Sequence, residues 1–297
     1  MNTLDHQIRL KAFKWLEEQV AIHGPVLPRI LLQRGFVFND ERIPLISPQG
    51  IFKPKNMDIP LSITTSPKGP YEDIVEEDDI IYYKYRGRDP FHRDNVGLRM
   101  SMEQNIPLIY FHGLIPGQYS AVWPVYIVED SPETLTFTVM VDDIKTIACS
   151  EHGYLVAEEK RAYITAEVKR RLFQQTFRER VLEAYHTKCA ICRLKHRELL
   201  EASHIIPDSE PESKPIVSNG ISLCTLHHTA FDKYFIGITP DYIVEVRKDI
   251  MDEEDGPTLK YSLQGLHKSK IHIPRKKDNK PDKEFLDWRY QKFQGAG

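Results

Sequence analysis

Cys189-Ala190-Ile191-Cys192, Glu201-Ala202-Ser203-His204-Ile205-Ile206-Pro207 and Asn219-Gly220-Ile221-Ser222-Leu223-Cys224-Thr225-Leu226-His227-His228-Thr229-Ala230-Phe231-Asp232 are three pieces of one stretch, residues 189–232. Two chemistries are interleaved in it. Cys189 and Cys192 form a C-x-x-C pair, and Cys224 and His227 repeat the gap. Zinc accepts three thiolates and one imidazole in a tetrahedron, so two such pairs on separate turns can close a structural site. The plainer alternative is buried small thiols beside surface histidines. Three of the chain's four cysteines fall in this pattern, which favours zinc.

The second set is His204, Asn219, His228 and Asp232. Each histidine taken singly is more often structural or exposed; the ordered set carries the weight. His228 and Asp232 are four apart, so a helix over residues 226–233 puts them on one face, able to share a metal. Hydrolysis of a phosphodiester needs a base for water and a divalent cation for the developing charge. A neutral imidazole suits the base role near pH 7.

Over residues 177–239 this ordered set resembles the HNH nuclease family, a ββα-metal fold on a zinc-stapled core. The resemblance implies that His204 is the general base and that Asn219 holds the loop and orients it. It makes His228 a ligand of a catalytic Mg²⁺ or Mn²⁺, and Asp232 sits where some members place another ligand. Two positions depart from the pattern. Ser203 stands where many members have Asp or His, so fewer protein groups are expected on the metal. His227 stands at a zinc position that is commonly Cys, an acceptable exchange.

The 297 residues allow two domains with cores of their own. Hydrophobic residues make up 41% and charged ones 28%, which fits a folded chain rather than a disordered one. No apolar run approaches the ~18 residues of a membrane helix, and the N-terminus lacks a signal-peptide core. Cysteines committed to metal fit a reducing compartment, so a cytoplasmic location is expected. Net charge is −3 and does not announce nucleic acid. Its distribution does: residues 160–198 hold eleven Lys/Arg against four Asp/Glu. A local basic stripe is the usual footprint for phosphate backbones.

Residues 4–23 read as an amphipathic helix, with Leu4, Ile8, Ala12, Leu16 and Val20 on one stripe and Gly24-Pro25 as the stop. Residues 69–143 look like a β-rich domain with one helix over residues 95–103. Strands are predicted at residues 80–85, 107–111, 125–128 and 134–139. Aromatics gather near Asp73 and near Arg86, Arg88 and Arg93. Rings that stack on a flipped base, with a carboxylate for its exocyclic amine, use such a set. Aromatics on strands are far more often plain core.

Pro70-Tyr71-Glu72-Asp73, Tyr85-Arg86-Gly87, Asp94-Asn95 with Leu98, and Tyr119 ahead of Tyr126-Ile127-Val128 are similar to the SRA domain over about 75 residues. That domain is a PUA-like barrel that flips and reads modified cytosine. The resemblance implies a pocket in which Tyr71 and Tyr85 sandwich the base, Asp73 bonds its polar edge, and Arg86 lies alongside. The Tyr71–Tyr85 gap and Arg86 depart from the usual pattern.

Residues 144–159 look like a linker with helical ends. Residues 163–185 read as an amphipathic helix whose Lys169, Arg170, Arg171, Arg178 and Arg180 either face solvent or clamp phosphates. A basic tail and a short helix over residues 285–293 close the chain.

The expectation is therefore an α+β protein. Residues 1–143 form the β-barrel-like SRA/PUA-type reader with its N-terminal helix. Residues 144–176 form a helical linker. Residues 177–297 form the HNH endonuclease domain with structural zinc and a basic tail. The expected partner is double-stranded DNA carrying 5-methyl- or 5-hydroxymethylcytosine. Cutting both strands with one HNH site implies a homodimer or two binding events. Two alternatives stand beside this. One is an HNH nuclease reading sequence or another mark. The other is a non-catalytic, zinc-stapled DNA binder.

Overall fold

A computed structural model describes residues 3–67, 81–142, 154–254 and 256–296, which divide into two compact units, Met1–Leu172 and Phe173–Gly297. No helix among the described residues is long and apolar enough to cross a membrane.

The first unit opens with α1 (Thr3–His23), then β1 (Val26–Pro28), α2 (Arg29–Arg34), β2 (Phe36–Phe38), β3 (Glu41–Ile43), β4 (Ile51–Phe52) and β5 (Ser62–Thr64). β6 (Ile81–Lys84), α3 (Arg93–Glu103), β7 (Leu108–Ile115), β8 (Gln118–Ser131) and β9 (Thr136–Val141) follow. Seven strands form one curled sheet in the order β4-β5-β7-β8-β9-β6, with β1 paired to β8. β5 and β7 run parallel; the other pairings in this sheet are antiparallel.

Successive residues of β7 enter different cores. Ile109 and Phe111 pack with Ile8, Leu16 and Leu27, while Leu108 and Tyr110 pack with Leu98, Phe137 and Val139. A strand points alternate side chains to opposite faces, so a run as apolar as Leu-Ile-Tyr-Phe marks a sheet covered on both.

The expected stripe on α1 is present: Ile8, Ala12 and Leu16 are buried. The helix also buries two charges that the stripe does not foretell. Asp5 accepts from the backbone of Asp58 and Ile59, and Arg9 donates to the carbonyls of Pro107 (2.7 Å) and Pro60 (3.1 Å). Burial lowers the Arg9 guanidinium to about 10, so it remains a cation at neutral pH.

α4 (Tyr154–Ala184) crosses the division between the units and begins nine residues before the helix expected at residue 163. In the second unit it is followed by the hairpin β10 (Leu200–His204) and β11 (Gly220–Cys224), then α5 (Thr225–Asp232). β12 (Ile236–Ile238) and β13 (Val244–Val246) pair next, and α6 (Lys248–Asp252), α7 (Pro257–Ser262) and α8 (Lys283–Gln294) complete the unit. One core joins Phe177, Val181, Leu200, Ile221, Leu223, Phe231, Ile236 and Leu286.

Two glycines let helices close on strands. A Cβ at Gly220 would lie 2.4 Å from Val181 and 2.9 Å from Phe177, and one at Gly237 would lie 2.5 Å from Phe293. α4 and α8 approach the hairpins at distances that side chains there would forbid.

Candidate active site

The zinc set assembles. The ligand atoms of Cys189, Cys192, Cys224 and His227 all lie within 4.8 Å of one another. Cys192 Sγ is 3.9 Å from Cys224 Sγ, and His227 Nδ1 is 3.2 Å from Cys224 Sγ and 3.5 Å from Cys189 Sγ. Zn–S bonds of ~2.3 Å in a tetrahedron give edges of about 3.8 Å, so the donor set fits the ion. His227 is 1% exposed, and its Nε2–H donates to Ser262 O at 2.9 Å, leaving Nδ1 toward the sulfurs. Burial opposes charge on this ring. Its bonds to Cys189, Cys224 and the Ser262 carbonyl nevertheless push His227 up to about 10.

The second set is built on the same hairpin and helix. β10 ends at His204, which pairs with Gly220 at the start of β11. The His204 ring lies on the ring of Phe177, centroids 3.9 Å apart and planes 9° from parallel. Burial lowers its pKa; Asp208 and Asp232 raise it and His228 lowers it further, with a net value below the ordinary imidazole. The His204 imidazole is therefore neutral at pH 7.

Asn219, 0% exposed, closes the loop that leaves β10. Its Oδ1 accepts from Ile206 N at 2.9 Å, and its Nδ2 donates to Ile206 O (3.1 Å) and Lys214 O (3.0 Å). Its own carbonyl accepts from Ile205 N at 2.8 Å. The bonds to Ile205 and Ile206 fix the backbone immediately beyond His204, and the bond to Lys214 holds the far side of the loop.

α5 begins where β11 ends, because Cys224 is at once the last strand residue and the helix N-cap. One turn apart on this helix, His228 Nε2 and Asp232 Oδ2 are 3.1 Å from each other. Ligands at ~2.1 Å and right angles sit about 3.0 Å apart, so the pair fits two corners of an octahedral divalent cation. The other nitrogen, Nδ1, bonds Glu201 of β10. Asp232 first and Glu201 after it raise the His228 pKa against burial. Against the upward push of burial, His228 and Arg289 hold the Asp232 carboxyl below its ordinary value.

Ser203 is fully buried, and its Oγ has no hydrogen-bond partner among the described residues. Glu201, Phe177 and Arg289 complete the surroundings, although no motif names them. Glu201 is 27 residues from His228 and Arg289 is 57 from Asp232.

Of the basic residues on α4, Lys169 is buried and Arg178 turns partly inward. Arg178 donates to Leu200 O at 2.9 Å and pairs with buried Glu179, which also holds Arg197. Arg171 pairs with Glu167 one turn back.

In the first unit, Tyr71 and Asp73 lie outside the described residues. Tyr85 is 7% exposed, its ring stacked on Phe137 at 4.6 Å and its hydroxyl donating to Asp130. Alternation along β6 explains this: Ile81, Tyr83 and Tyr85 point into the core, and Lys84 points out. Tyr85 therefore presents no open ring for a sandwich. Arg86 pairs with Asp94 and Gln49, and its backbone N–H donates to Asn95 Oδ1 at 2.8 Å.

A strand pair, a helix that follows it without a loop and a Cys3His cluster that could hold zinc are the parts of a ββα-metal nuclease domain. Residues 189–239 match the family model described as HNH endonuclease, and the second unit carries an HNH endonuclease domain. No curated protein matches the chain at a significant level. Among solved structures, a modification-dependent TagI restriction endonuclease is similar at 14% identity, with 79% of this chain and 81% of that one covered. The TM-score is 0.31, too low for that likeness to carry any argument.

Proposed function

We propose that this chain is a modification-dependent DNA endonuclease of the restriction type. The observation that carries the nuclease half is His204, its pKa lowered by burial, at the end of β10 within reach of the charges of the His228–Asp232 pair. His204 takes a proton from water, whose oxygen attacks phosphorus. The new P–O bond forms as the bond to the 3′ oxygen breaks, leaving a 5′ phosphate. His228 and Asp232 would hold a divalent cation, which would stabilise charge on the phosphoryl group and the leaving oxygen. The Cys189–Cys192–Cys224–His227 set, buried except at Cys192, would hold structural zinc.

The reader half rests on the resemblance of residues 70–128 to the SRA domain. With Tyr85 in the core, the base-facing roles fall to Tyr71 and Asp73. The burial of Tyr85 also favours a second reading, an HNH endonuclease whose first unit recognises sequence or another mark.

Matched DNA fragments, unmodified, 5-methylated and 5-hydroxymethylated, separate these readings when incubated with Mg²⁺ or Mn²⁺ and a His204→Ala control. Cutting of a modified fragment alone supports the proposal. Equal cutting of all fragments removes the cytosine reader. Binding without cutting, by wild type and control alike, removes the catalytic role.

A further inference from the structure

Beyond the matched residues 189–239, α8 sends one side chain back into the site. Arg289 is 3% exposed, and its guanidinium reaches three acceptors. It donates to Phe231 O (3.1 Å), to Asp232 Oδ1 (3.1 Å) and to Ile205 O (3.4 Å). Phe231 and Tyr234 lie against it, ring centroids 4.6 and 4.7 Å from its central carbon. Tyr234 takes a left-handed backbone (φ 56°), costly for a bulky residue, and thereby keeps its ring on the cation.

We propose that Arg289 is a positioning residue that sets the separation between the base and the metal-binding carboxylate. This rests on the nuclease reading above. Ile205 follows His204 directly, and Asp232 partners His228, so one guanidinium ties the end of β10 to the end of α5. By occupying Oδ1 it turns Oδ2 toward His228 Nε2. The planar fork donates from two nitrogens, one to Ile205 O and the other to Phe231 O and Asp232 Oδ1, whereas a lysine ammonium has a single nitrogen to place between them.

A purely structural role fits poorly. The Asp232 side chain is 48% exposed, whereas that of Arg289 is 4% exposed. A pair with one end in water adds little to stability, while burying the cation is costly. The arrangement makes sense where the exposed carboxylate has a second partner, a metal.

The test uses the zinc-loaded full chain. Mn²⁺ binding is measured calorimetrically without DNA, and cleavage is followed against Mn²⁺ concentration for wild type, Arg289→Lys, Arg289→Gln and His204→Ala. Arg289→Lys is expected to remain folded and bind Mn²⁺ about tenfold more weakly or worse, as for lost outer ligand partners. Its cleavage should recover at high Mn²⁺, with the half-maximal concentration raised by the same factor. His204→Ala should bind Mn²⁺ normally and not be rescued. A folded Arg289→Lys with wild-type Mn²⁺ affinity overturns the proposal. Should both Arg289 variants fail to fold, Tyr234→Leu decides. Weaker Mn²⁺ binding in it supports the positioning role, and unchanged binding overturns it. If wild type neither binds Mn²⁺ outside the zinc site nor cuts DNA, the nuclease reading falls as well. If wild type does both and Arg289→Lys equals it, only the positioning role falls.

Discussion

His204 and Phe177 lie face to face, ring centroids 3.9 Å apart, with one side of the imidazole closed to water. Desolvation from this side disfavours the imidazolium and lowers the pKa. A base works when neutral, so activity is present at higher pH and lost as pH falls through the lowered value. At saturating metal, the acid limb of kcat should fall below the ordinary ~6.5 of histidine. Phe177→Leu, which opens that face, should move the limb upward. A pH–rate profile of the two proteins reads the shift; superimposable limbs would show that the stack does not tune the base.

Asn219 carries the loop beyond His204. Asn219→Ala leaves the buried Ile206 N–H without its partner, a cost of about 1–3 kcal/mol. Cleavage measured well below the Tm should fall further than that loss of stability explains, because Ile205 and Ile206 fix where the base sits. Asn219→Asp keeps the acceptor for Ile206 N and loses the bonds to Ile206 O and Lys214 O, so it should fall between. Thermal melts and kcat on the same samples check the ordering.

Gly220 faces α4 where no side chain fits. Gly220→Ala sets a Cβ 2.4 Å from Val181, and overpacking of this kind costs about 1–3 kcal/mol. The same methyl presses on Phe177, which carries His204. The variant should therefore lose kcat while retaining metal affinity, since His228 and Asp232 sit on α5. Unchanged kcat in a destabilised variant would detach the two effects.

The Cys189–Cys192–Cys224–His227 set joins hairpin to helix, so with the proposed zinc bound there, chelation should unfold the second unit. Cys192→Ser, which removes the exposed ligand, should weaken zinc retention and lower the Tm of that unit. Zinc binds thiolates and a neutral imidazole, so its uptake near pH 7 should release protons. Calorimetry in buffers of different ionisation enthalpy measures that release. Zinc content by mass spectrometry should follow the Tm across the variant series.

The site was legible where its geometry is local. C-x-x-C turns, a strand ending at His204 and the i, i+4 pair His228–Asp232 depend on short-range backbone structure, and spacing encodes them. Glu201, Arg289 and the stacked face of Phe177 were not legible as site residues. Each meets its partner only after distant elements pack, and nothing in the residue types marks them. The first unit shows the same limit. Helices α1 and α3 and strands β6, β7 and β9 overlap their expected places and β8 runs well past its own, but the role expected of Tyr85 depended on which side of the sheet the chain turns it just after β6. The two-residue alternation, counted from Ile81, turns it inward.

His227 and His228 are neighbours on α5, one turned to the sulfurs and the other to Glu201 and Asp232. Successive residues of a helix are rotated by about 100°. One residue inserted between Cys224 and His227 would swing both imidazoles off their targets together. Over evolutionary time this segment can exchange its side chains, but it cannot drift in length. The polar loop at residues 208–216 is held at its base by Asn219 and by Ser213, which donates to Ile206 O at 3.0 Å, and it can accept insertions at its tip.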